Sequence, residues 1–148
     1  MRRRCLLVSA CLLGVRCRYD GKEKAHPAVL SLLEREDLTL IPVCPEQLGG
    51  LPTPRPAAEC CGGRVVNRAG ADVTEAYGRG AEQTLHLARA YHCDGAILKE
   101  RSPSCGKGQI YDGSFSGVLT EGDGVAAALL LQHEIPVFGE SELEQLEE

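Results

Sequence analysis

The chain of 148 residues is the length of a single domain, taken here as residues 1–148, and is long enough to bury a real core. Its net charge of −5 leaves no electrostatic footprint for general nucleic-acid binding, and no apolar stretch approaches the roughly 20 residues that cross a bilayer. Eight cysteines are many for this length, yet no two are spaced C-x-x-C, which argues against a zinc ribbon or a thioredoxin-like dithiol.

The chain begins with basic residues followed by CLLVSACLLG, and Val8-Ser9-Ala10-Cys11 looks like the cleavage box of a bacterial lipoprotein. The apolar part before Cys11 is shorter than the roughly 7–15 residues of an export signal's apolar region. Residues 6–10 are therefore read as a buried strand with Cys11 at its tip, in a cytoplasmic protein. A helix is expected over residues 26–37, where Val29, Leu30 and Leu33 fall at helical spacing, and a second buried strand over residues 38–43. Pro45, Gly49-Gly50 and the prolines at 52, 54 and 56 predict a surface loop free of helix.

Residues 64–67 and 71–74 flank a glycine turn and predict a small hairpin. An amphipathic helix over residues 75–92 places Tyr77, Ala81, Leu85 and Ala88 on one face. A third strand over residues 95–99 leads into a long polar, glycine-bearing loop, residues 100–117, of the kind that usually carries function. Asp123 is placed to cap a helix over residues 124–133. A fourth strand follows at residues 136–138, and Ser141 with Glu144 predicts a capping box for a last short helix. The alternation of strand and helix implies an α/β fold: one three-layer, Rossmann-like domain with a short parallel sheet of about four strands, in the order 2-1-3-4, and a possible hairpin insertion.

In such sheets the ligand site lies beyond the carboxyl ends of the strands. Cys11, Cys44 and Cys105 fall there, after the first, second and third strands respectively. Three thiolates without an obvious fourth suit a metal or cluster with one open position. Free cysteine is also a common buried hydrophobe, so placement alone leaves packing open. Glu46 stands two residues past Cys44, Ser102 and Ser104 stand just before Cys105, and Lys99 could add positive charge nearby. A carboxylate and hydroxyls beside an open metal position would make a hydrolytic site. Cys17, Arg18, Tyr19 and Asp20 are further pocket candidates through their nearness to Cys11. Arg55 and Glu59 read as an ion pair tying down the proline-rich loop. Cys5 and Cys93 read as packing residues, Cys60-Cys61 as local variation, and the histidines as solvated or capping groups.

Four ordered stretches, VSACLLG-x-x-CRYDG, PVCPEQLGGLPTPRP-x-AE, GAILK-x-RSPSCG and IYDGSFSG, together resemble the thiouracil desulfurase family, once known as a domain of unknown function. The resemblance implies a [4Fe–4S] cluster held by Cys11, Cys44 and Cys105, with one iron open to substrate sulfur. It also implies Glu46 and Ser102 as catalytic residues and a thiolated pyrimidine such as 2-thiouracil as substrate, converted to its carbonyl form with release of sulfide. A thiolated nucleoside or RNA is the alternative substrate, the acidic charge argues against long RNA, and no membrane partner is expected. A cysteine-based metal-binding or redox-sensing module without turnover is the competing reading. Oligomeric state is not legible in the sequence.

Overall fold

In the computed structural model, which describes residues 3–147, the first aliphatic run forms β1 (Arg4–Ser9) and passes directly into a 3₁₀ turn, Ala10–Leu13. β2 (Leu38–Val43) and a later strand, Gly95–Leu98, pair with β1 in parallel on either side. Because successive side chains in a strand point to opposite faces, Leu6 and Val8 pack on one side of the sheet and Leu7 on the other. The first face is covered by α1 (Pro27–Ser31) and the 3₁₀ turns at Leu32–Glu34 and Leu143–Glu147. The predicted helix over residues 26–37 is thus one α-helical turn followed by one 3₁₀ turn, ending before Arg35.

The stretch expected to be free of helix contains α2 (Pro45–Leu48). Pro45 stands at its first position, where the missing N–H costs no helical hydrogen bond. Beyond it, β3 (Ala58–Cys61) and β4 (Arg64–Asn67) form an antiparallel hairpin. Residues 64–67 therefore pair along their length with residues 58–61, and with the expected 71–74 only at one bridge. The turn is Gly62-Gly63, both at positive φ, the conformation a two-residue hairpin turn requires. Residues 71–74 make one bridge, Asp72 to Val66, before α3 (Thr74–Ala90) begins. Tyr77, Ala81, Leu85 and Ala88 are all buried, on the face that the sequence predicts.

After β5 (Gly95–Leu98), the long loop holds a second hairpin, β6 (Gln109–Tyr111) with β7 (Leu119–Glu121), too short to leave a periodicity in the sequence. α4 (Val125–Gln132) and β8 (Val137–Gly139) complete the molecule. Asp123 does not cap α4: its carboxylate accepts the Gly108 N–H at 2.8 Å. The first N–H groups of α4 instead reach the carbonyls of Pro103 and Ser104. Ser141 likewise forms no capping box; its hydroxyl donates to the Glu100 carboxylate. The four-stranded parallel sheet has the order β2-β1-β5-β8, the expected 2-1-3-4 arrangement, and α3 and α4 pack on its second face. No helix among the described residues is long and apolar enough to cross a membrane.

Two glycines let α2 lie against α3. A Cβ on Gly80 would sit 1.9 Å from the Pro45 carbonyl oxygen, and one on Gly49 would sit 2.0 Å from that of Ala76. Backbone cannot yield as a flexible side chain can. Gly80→Ala is therefore expected to lower stability by roughly 1–3 kcal/mol in urea unfolding. Gly78→Ala, on the open side of the same helix, should be neutral or stabilising.

Candidate active site

All four parallel strands deliver their carboxyl ends to one edge of the sheet, and the chemistry-bearing loops leave from that edge. Cys11 lies in the 3₁₀ turn after β1. This turn is closed by Gly14 in the left-handed region and fixed by the Lys24 N–H, which donates to the Cys11 carbonyl at 2.9 Å. Cys44 is the residue between β2 and α2, and Cys105 sits in the loop after β5. That loop is pulled tight by the Gly106 N–H donating to the Ser102 carbonyl at 2.8 Å, and it lies under the start of α4. Gly124 permits the approach, since a Cβ there would meet the Ser104 carbonyl carbon at 2.5 Å.

The three cysteines line one cavity of about 940 Å³ together with Cys17, Arg18, Tyr19, Asp20, Glu46, Lys99, Ser102 and Ser104. Every residue singled out from the sequence thus reaches the same space. Cys17 is buried and stands among the site thiols. Its thiol is pushed up to about 11, chiefly through its hydrogen bond with Cys11, while its contact with Cys44 opposes that shift. The Cys44 thiol is also raised, first by Cys17 and then by burial, and it donates to the Cys17 carbonyl at 3.7 Å. Burial pushes Cys105 up to about 11, with hydrogen bonds from Ser9 and Ser104 pulling it back.

Among the described residues, no group of three His, Cys, Asp or Glu side chains is gathered tightly enough to hold one metal ion. Soft thiol donors carried to one cavity on three separate loops suit iron atoms that each take one thiolate, as in a cluster. The donor chemistry fits such a group, and Cys11, Cys44 and Cys105 are the residues that could hold it.

Beside the thiols lies a connected set of hydrogen bonds around Glu46. One carboxylate oxygen accepts Arg55 Nε at 2.8 Å, and the other accepts the Ser104 hydroxyl at 3.0 Å. The Tyr77 phenol lies near Glu46, and its ionisation is pushed upward by burial first and by that carboxylate second. The Ser104 and Ser102 hydroxyls are 3.1 Å apart. Ser102 Oγ accepts the N–H groups of Ser104 and Cys105, each at 3.1 Å, which leaves its own proton to give. The resulting chain runs from Ser102 through Ser104 to Glu46, with each hydroxyl giving one proton and accepting another.

Arg55 is the largest functional residue that the sequence reading misplaced. It pairs with Glu46 and not with Glu59. Its two terminal nitrogens reach the carbonyls of Pro52 and Cys17 and the Thr53 hydroxyl, so every nitrogen of the buried guanidinium donates at least one hydrogen bond. Glu59 instead accepts the N–H groups of Gly113 and Phe115, at 3.0 and 3.1 Å, and holds the loop of the second hairpin over the cavity. There Phe115, at φ +56°, stacks with Arg68. Lys99 lines the cavity, but its ammonium pairs with Glu140 at 3.0 Å and does not add free charge to the thiols. Arg18 pairs with Asp20 and lies over the Tyr19 ring. Tyr77 was legible only as a helix-face core residue, and nothing local announces that it lies near Glu46. Cys60 and Cys61 lie outside the cavity lining, with Cys60 contacting the Pro103 carbonyl.

Residues 6–142 match the sequence pattern of the 2-thiouracil desulfurase family. The chain belongs to that family. A Bacillus subtilis (strain 168) relative, the uncharacterized protein YbbK, is 43% identical over 151 residues, covering 95% of this chain and 99% of its own. The solved structure of the [4Fe–4S]-dependent thiouracil desulfidase TudS superposes with a TM-score of 0.91 at 46% identity, over 97% of this chain and 95% of that one. The desulfurase family therefore accounts for nearly the whole chain, including all the stretches that build the cavity.

The side chains of the Arg55–Glu46 pair are only 5% and 12% exposed. Removing one partner strands a buried charge, so Arg55→Met is expected to cost about 3–5 kcal/mol in denaturant unfolding. Arg55→Met combined with Glu46→Leu should cost clearly less than Arg55→Met alone.

Proposed function

We propose that the protein converts the thiocarbonyl of 2-thiouracil, or of a closely related thiolated pyrimidine, to a carbonyl with release of sulfide. The cofactor is a [4Fe–4S] cluster held by Cys11, Cys44 and Cys105, and the protein works in the reducing cytoplasm. The observation that carries this reading is the hydrogen-bonded chain Ser102–Ser104–Glu46 set in the same cavity wall as the three thiols. Family membership and the likeness to TudS support it. When bound, the cluster supplies a Lewis-acidic iron with an open position for the soft thiocarbonyl sulfur.

The chain's own residues supply the proton chemistry. A thiocarbonyl plus water gives a carbonyl plus hydrogen sulfide, with no change of oxidation state at carbon. Glu46 is the general base that takes a proton from the attacking water, because it is the acceptor at the end of the hydroxyl chain. Arg55 holds its carboxylate in place. Ser102, pinned by two backbone N–H groups, gives its O–H to Ser104 in the resting chain and turns it to the tetrahedral carbon's oxygen or to the water when substrate is bound. Ser104 joins the two, so that a proton lost at one end can be restored at the other. Tyr19 and Phe115 offer flat apolar faces along the cavity wall for a heteroaromatic ring. The net negative charge and the size of the cavity, about 940 Å³, suit a small substrate.

Anaerobic reconstitution with iron and sulfide should load about four irons per chain. Each of Cys11→Ser, Cys44→Ser and Cys105→Ser should weaken or abolish the cluster absorbance. Loaded wild type should release sulfide from 2-thiouracil. Glu46→Gln should keep the absorbance and lose roughly 10²–10⁴-fold in kcat. Ser104→Ala should keep the absorbance and lose less. Sulfide released only from a thiolated nucleoside would assign the larger substrate. Cluster binding without any desulfuration, with Glu46→Gln silent, would make the protein a metal-binding module.

A further inference from the structure

Two cysteines outside the site are placed for chemistry of their own. Cys5 is the second residue of β1, and Cys93 lies in the turn between α3 and β5. Their sulfurs are 3.4 Å apart, and both side chains are half-buried, within reach of small reagents. The backbone holds them in register. The Asp94 N–H donates to the Cys5 carbonyl at 2.7 Å, and the Cys5 N–H donates to the Asp94 carboxylate at 2.9 Å. On the other side, the Cys93 N–H donates to the Ala88 carbonyl at 2.8 Å and closes the end of α3. These bonds fix the two backbones, so the thiols need only a rotation about χ1 to keep or lose their contact. The pair sits at the opposite end of β1 from Cys11, with about 13 Å of strand between Cys5 and Ser9.

We propose that Cys5 and Cys93 are a dithiol–disulfide pair, a modification site that closes under oxidation while the fold and the cavity stay intact. The oxidant is a low-molecular-weight disulfide or an azo-type reagent. One thiolate attacks the disulfide sulfur to give a mixed disulfide, and the second thiolate then displaces the leaving thiol. Two S–H bonds break and one S–S bond forms. The two electrons reduce the oxidant's S–S bond, and the two protons pass to its departing thiolates. Diamide accepts the same two electrons and two protons at its N=N bond. The bridge closes a loop spanning most of the chain, so it restricts the unfolded ensemble far more than the native state. Cys93 is pushed up to about 12 by burial and by its neighbour Cys5, which makes the reaction slow at neutral pH and faster as pH rises.

The test uses the full-length protein, cluster-loaded under anaerobic conditions and in parallel unloaded, treated with diamide at pH 8 and alkylated. Tryptic peptides 5–16 and 90–99 are expected as a cross-linked species two mass units below their sum, with fragmentation placing the bridge on Cys5 and not on Cys11. The melting temperature should rise by a few degrees and return on reduction. Cys5→Ser and Cys93→Ser should both abolish the cross-link and the rise. Recovery of Cys5 and Cys93 as separately alkylated thiols, under conditions that fully oxidise the exposed Cys61, would overturn the proposal. So would a cross-link accompanied by a lowered melting temperature. Because the readout is a peptide map and a melt, it is independent of whether 2-thiouracil is turned over.

Discussion

The buried pairing of Arg55 with Glu46 is the constraint on which the site depends. A guanidinium this deeply buried is tolerable only when its nitrogens are hydrogen-bonded, and here each of the three donates. Nε goes to Glu46, one terminal nitrogen to Pro52 and Thr53, and the other to the Cys17 carbonyl. One side chain thereby fixes the short helix that bears Glu46, the proline-rich loop, and the loop after β1 that carries Cys17. The Arg55 N–H, donating to the Tyr19 carbonyl at 2.8 Å, ties the same two loops a second time. Because the carboxylate cannot rotate away from Arg55, its second oxygen is aimed at Ser104.

Backbone close approach does comparable work where side chains would not fit. Gly49 and Gly80 bring α2 onto α3, which lets Tyr77 on α3 lie near the carboxylate on α2. Gly124 brings the start of α4 onto the loop of Ser102–Cys105, whose carbonyls satisfy the helix's first N–H groups. Conventional capping by Asp123 would have freed that loop. The exchange instead leaves its hydroxyls and thiol with fixed positions, which is what a proton path and a thiolate ligand both require.

Much of this was legible locally. Strands β1, β2, β5 and β8 announced themselves as short aliphatic runs between turn residues. The amphipathic face of α3 was readable from Tyr77, Ala81, Leu85 and Ala88 at helical spacing. The placement of Cys11, Cys44 and Cys105 at strand tips followed from sheet geometry. What failed was short or compensated: α2 is a single turn started by a proline, and β6 and β7 are three residues each. Residues 71–74 meet residues 64–67 at a single bridge, while the longer partner, residues 58–61, follows the prolines and was not read as a strand.

The sequence by itself determined the α/β alternation, the strand order, the cysteines beyond the strand ends and the neighbourhood of Glu46 and Ser102. These rest on patterns within a few residues and on a crossover rule that holds for nearly every parallel sheet. Tertiary structure alone decided the partners of the charges: Arg55 with Glu46 rather than Glu59, Lys99 with Glu140 rather than the thiols, Ser104 as the bridge between Ser102 and Glu46, and Cys5 beside Cys93. Hydrogen bonds and ion pairs depend on distances of a few ångströms between residues far apart in the chain, and no local periodicity encodes those distances.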